Sequence, residues 1–165
     1  MGLSMIRHRN GSEMSDKALV KFQATGFSVD LPCVPKPNSE SLNTPVGPMT
    51  VAQYLCVGGR DGYGVTATTV APMQGATLDM TAAAKEAATE WGGTPTDVVS
   101  STYQDHPAAD FHVADGHRGS RKITVFMRII STGSTLYEMQ YLKAGNNIPT
   151  APMNYPAFLA SMHID

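Results

Sequence analysis

Three imidazoles and three carboxylates fall within thirteen residues, at Asp105, His106, Asp110, His112, Asp115 and His117. These are the side chains that hold a divalent metal. If this stretch is a strand, the two-residue period puts Asp110 and His112 on one face, opposite Ala109, Phe111 and Val113. His106 and His117 then fall in flanking turns, roughly 15 Å from His112 at the ~3.3 Å rise of an extended chain. A metal site built on His106, Asp110, His112 and His117 therefore requires both turns to fold back. The competing expectation is a solvated strand face between polar turns.

Other reactive types are less well arranged. Serines and histidines occur, but without the G-x-S-x-G elbow of a hydrolase. Cys33 lies among prolines and Cys56 among apolar residues, a spacing that fits no zinc, redox or haem pattern. In a reducing compartment the two are expected as separate thiols, Cys56 as inert packing. The run Gly58-Gly59-Arg60-Asp61-Gly62 suggests a phosphate cradle, but the glycine order is wrong and no helix follows, so it reads as a turn. Arg118, Arg121 and Lys122 form a small basic patch before an apolar strand. Arg128 interrupts that strand, and a charge inside a covered sheet must be paired or reach the surface. The expected partner is Glu138, on the neighbouring strand across the Ser131–Ser134 turn. Tyr137, Met139 and Tyr141 share a strand face that suits either core packing or an adaptable groove. Arg121, Arg128, Tyr137 and Met139 are thus the candidate partner-binding residues.

These side chains need a scaffold, and periodicity supplies one. Residues 1–18 are polar and aperiodic, a flexible lead-in to a single domain over 19–165. Leu19–Ala24 and Phe27–Leu31 alternate as strands. Residues 32–48 hold Pro32, Pro35, Pro37, Pro45 and Pro48, which predicts a loop. Thr50–Val57 and Tyr63–Val70 form a hairpin. Ala76–Trp91 is a helix, capped by Thr77 or Asp79 and ended by Gly92-Gly93, with Met80, Ala84, Ala87 and Trp91 on one face. Strands follow over Asp97–Gln104, Ala109–Ala114, Lys122–Ser131 and Thr135–Leu142, and a short helix over Pro156–Met162 closes the chain. Ile123–Ile130 is apolar on both faces, so that strand is expected to be central and covered above and below.

The chain has 165 residues and a net charge of −2, with 42% hydrophobic and 16% charged residues. It is long enough for a self-sufficient core. The balanced charge argues against a nucleic-acid partner, and no apolar run approaches the ~20 residues of a membrane span. The amino end lacks the apolar segment of a secretion signal, so the expected location is cytoplasmic, or the envelope or outside if a leader was trimmed.

The order of motifs resembles a known family. Gly26-Phe27-Ser28-Val29-Asp30-Leu31-Pro32 is followed by a proline-bearing loop with Thr44 and Gly47 and by strands around Tyr54 and Tyr63-Gly64-Val65. An alanine-rich helix comes next, then a hairpin carrying Arg128, Gly133 and Leu136-Tyr137, and a closing Phe158-Leu159-Ala160-Ser161-Met162. This is similar to the PsbP-like superfamily, which includes the photosystem II extrinsic protein, a Ran-binding import factor, DcrB-type proteins and small bacterial lipoproteins. Cys33 stands where the family commonly has glycine. The resemblance implies an α+β fold, a mostly antiparallel sheet sandwiched by helices (α/β/α), and a non-enzymatic accessory protein that binds a protein or peptide as a monomer or small homo-oligomer, with no cofactor. The alternatives are a small-molecule or divalent-metal binder using the Asp105–His117 region, and a hydrolase.

Overall fold

Alternating side chains along seven long segments build one antiparallel sheet, in a computed structural model that describes residues 13–45, 47–70 and 78–165. Its strands are β3 (Lys36–Thr44), β4 (Gly47–Val57), β5 (Asp61–Val70), β6 (Thr96–Tyr103), β7 (His106–Arg118), β8 (Arg121–Ser131) and β9 (Thr135–Ala144), in the order β3-β4-β5-β9-β8-β7-β6. A second sheet of three short strands joins β1 (Val20–Gln23), β2 (Phe27–Leu31) and β10 (His163–Ile164), in the order β1-β2-β10. The helices are α1 (Met80–Glu90) and α2 (Tyr155–Ala160).

The expected α/β/α sandwich is not what forms. Two helices, of 11 and 6 residues, are too few to roof a seven-stranded sheet on both faces. Among the described residues, α1 is what covers one face. The other is covered mainly by the small sheet, with Phe27, Val29 and Leu31 packing on Tyr63, Val65, Tyr137 and Met139, and with Phe158 of α2 and Met162 completing that core. The molecule is therefore mostly β. The motif Phe27-Ser28-Val29-Asp30-Leu31 is a strand as expected, but it belongs to this second layer.

β8 is an interior strand with both faces covered. Ile123, Val125, Met127 and Ile129 meet α1 together with Ala109, Phe111 and Val113 of β7, while Ile130 joins the opposite core. Helix α1 buries Met80, Ala83, Ala84, Ala87 and Ala88. Small alanines let it lie close to the sheet. Asp79 caps its start, accepting from the amides of Thr81 at 3.0 Å and Ala82 at 3.4 Å. The helix begins at Met80 rather than Ala76, and Thr77 lies outside the described residues.

The proline-rich stretch expected as a loop is largely strand β3, paired with β4 from Lys36↔Leu55 to Thr44↔Gly47. It is the sheet's edge, and an edge strand tolerates prolines because its outer donors have no ladder to complete. Pro48 lies beyond the first β4–β5 pair, Met49↔Val70, so it interrupts nothing on that side.

The lead-in expected over 1–18 lies partly outside the described residues. Met14–Asp16 form a 3-10 turn whose Met14 and Ser15 amides donate to the buried Asp61 carboxylate at 2.7 and 3.0 Å, and Tyr141 donates to the same carboxylate at 2.9 Å. A disulfide joins Cys33 to Cys56, correcting the expectation of two separate thiols. Their Cα atoms lie 5.8 Å apart because the chain turns directly from β2 onto the flank of β4.

Candidate binding groove

Helix α1 contacts β6, β7 and β8, and among the described residues no element lies over the β5-β4 half of the same sheet face, which β9 borders. The two-residue period decides what lines that half. On β9, Tyr137, Met139 and Tyr141 point to the small sheet, so Leu136, Glu138, Gln140 and Leu142 point to the open side. On β5, Tyr63 and Val65 point to the small sheet, which turns Gly62, Gly64, Thr66 and Thr68 to the open side. Met49, Val51, Gln53, Leu55 and Val57 of β4 form the far wall, and Glu90 and Trp91 at the end of α1 form the near one.

The result is a groove of about 440 Å³, within the usual size of a ligand site. Small residues on β5 make its floor deep. A Cβ at Gly64 would come 2.6 Å from Leu55 Cδ2 and 3.3 Å from Gln140 Nε2, so this glycine admits both side chains over the strand. The groove runs on past Glu86, Ser134 and Leu136 at one end. At the other it runs past Arg60, Arg118 and Arg121 beneath Trp91.

Its electrostatics are polarised. Glu138 is 8% exposed and Gln140 4%, yet neither side chain hydrogen-bonds to any described residue. Burial, reinforced by Glu90 and Glu86, pushes the Glu138 carboxyl up to about 7. The Glu90 carboxyl is also raised, first by desolvation and then by Glu86, against a lowering from Arg118. The Arg118 guanidinium lies 4.2 Å from the Trp91 ring centroid, which fixes the aromatic wall at the basic end.

The sequence-predicted residues lie elsewhere. Arg128 does not pair with Glu138. It forms a two-pronged ion pair with Asp110, Nε–Oδ1 at 2.7 Å and a terminal nitrogen–Oδ2 at 2.8 Å, and lies over Tyr103. The registers Asp110↔Arg128 and Ile129↔Glu138 put the two residues on opposite faces of the sheet. With Asp110 engaged, the Asp105–His117 cluster loses its central carboxylate. His112 stacks on Phe126 and its Nδ1 lies 3.9 Å from Asp97, His117 sits against Gly92, and His106 is paired with Tyr103 across the β6–β7 turn. Asp115 accepts from the Thr94 amide, which lowers its carboxyl below the ordinary range. Among the described residues no three metal-ligating side chains converge to hold an ion. Tyr137 and Met139 are buried under the small sheet and so are core. Arg121 lies at the groove's basic end.

The sequence offers Glu138 only as a partner for Arg128, gives Gln140 and Glu90 no role, and places Gly62 in a turn and Gly64 in the Tyr63-Gly64-Val65 motif rather than on a groove floor. Only the alternation Leu136-Glu138-Gln140-Leu142 against Tyr137-Met139-Tyr141 carried that signal. No family model, curated protein or solved structure matches this chain, and the PsbP-like resemblance rests on its motifs alone.

Proposed function

We propose that this protein is a non-catalytic binding module whose groove, between α1 and the open half of the large sheet, takes an extended segment of a protein or peptide partner. The observation that carries this reading is Glu138 and Gln140, two buried polar side chains on the groove floor with no hydrogen-bond partner among the described residues. Asn154 Nδ2 is the fully buried side-chain polar atom without a partner among the described residues, so the polar atoms of Glu138 and Gln140 still meet the groove's water, and a bound chain would replace that water with its own donors and acceptors. Apolar Met49, Leu55 and Leu142 beside them supply the area that gives affinity. The Cys33–Cys56 bridge supports an exported location, because disulfides persist in oxidising compartments.

The test is selection of random dodecapeptides displayed on phage against the folded protein. Peptides are expected that bind the parent and lose at least tenfold in affinity against Thr66→Trp, which fills the floor. No selectable peptide, or peptides indifferent to Thr66→Trp, overturns the reading.

A further inference from the structure

Resting on that reading of the groove, we infer that the bound segment carries a lysine or arginine whose cationic head docks on Glu138, and an acidic residue about four positions along that meets Arg118 and Arg121. Glu138 is nine-tenths buried, faces the groove and is unpartnered among the described residues. The charges facing it are those of Glu86 and Glu90 from α1, with Arg118 farther along beside Glu90. On the β4 and β5 sides the lining is uncharged, Gln53 and Thr66 being the polar members. Of these three carboxylates only Glu90 lies beside a cation, and the charges acting on Glu138 are both negative, which leaves a site that favours positive charge. Because they do not converge as metal ligands, the fitting cation is an extended one. The methylenes of a lysine or arginine stem suit the apolar walls at Leu55 and Met49, with the charged head reaching the floor.

The spacing follows from the sheet. The acidic centre sits at Glu138, and Leu142 borders both the groove and its basic end. Four strand residues separate them, about 13 Å at the ~3.3 Å rise of an extended chain. A peptide lying along β9 therefore presents a basic residue at one position and an acidic one about four later. An ionised carboxylate is what the cation needs, so binding strengthens as pH rises through the titration of Glu138.

The dodecapeptides selected on the parent protein also test this. The expected result is enrichment of lysine or arginine followed about four positions later by aspartate or glutamate. A representative peptide should bind at least tenfold more tightly at pH 8 than at pH 5.5, and Glu138→Gln should lose most of that gain. Glu138→Gln is nearly isosteric and removes an unpaired acid, so the fold is retained, and the far-ultraviolet circular dichroism spectrum checks this. Peptides that depend on Thr66 but lack a basic residue, or whose binding ignores Glu138→Gln and pH, overturn the inference while leaving the peptide groove standing. Failure to select any peptide overturns both.

Discussion

Glu138 sits where a carboxylate is least at home, and its titration makes that measurable. An acid whose folded-state value is raised takes up its proton more readily folded than unfolded. Its contribution is fully present below about pH 4.5, where both states are protonated, and is lost as pH rises through about 7. The full shift corresponds to about 3 kcal/mol, and about 2 kcal/mol after allowance for the groove's access to solvent. Glu138→Gln is expected to raise stability at pH 8 by about 2 kcal/mol and to change it little at pH 4, as read from urea midpoints at the two pH values. Equal gains at both would mean that the carboxyl is not titrating in the groove. Arg128 teaches the complementary lesson. The need for a partner was legible from one charge in an apolar strand, but the partner was not. A one-residue error in register moves every side chain to the other face. Counting back from Arg118↔Arg121 without interruption would put Asp110 opposite Ile129. The bulge between Val113 and Gly116 shifts the register by one and brings Asp110 to Arg128 instead. No local pattern in the chain announces that bulge.

At the scale of elements, periodicity served where one face was buried and failed where none was. β8, apolar on both faces, and β9, with its alternation, form close to their expected bounds, and α1, with its small-residue stripe, forms within its own but starts four residues later, at Met80. β3 is exposed along nearly its whole length, so it has no buried face to leave a pattern, and its prolines speak for a loop. The disulfide was equally hidden. Its two cysteines are separated by 23 residues, and the pairing of β3 with β4, which sets Lys36 opposite Leu55, brings Cys33 alongside Cys56. Closing a loop of that length removes unfolded-state entropy worth roughly 3 kcal/mol. The double variant Cys33→Ser, Cys56→Ser is expected to lose about that much in urea denaturation. The parent protein, alkylated while unfolded, should gain no adduct without reductant and two after reduction. Two adducts without reductant would mean that the bridge is not formed.

Across the whole molecule, cover is uneven, and stability should follow it. The β8–β7 half of the large sheet is clamped between α1 and the second layer, so opening it exposes apolar surface on both sides. The β3–β4 arm is covered on one face at its disulfide end, where Cys56 and Tyr54 meet the small sheet, and among the described residues nothing lies over its groove side or its outer edge. Amides that exchange only on global unfolding should therefore cluster in β8 and in the strands flanking it, β7 and β9. Those of β3 and of β4 from Met49 to Ala52 should exchange through cheaper local opening. Hydrogen exchange at single-residue resolution measures this gradient. Uniform protection across all seven strands would mean that the open half is covered in solution, and then the groove would not be available to an incoming chain. A steep gradient that flattens in β4 and β5 when a selected peptide is added would locate the bound segment and show that it supplies the missing cover.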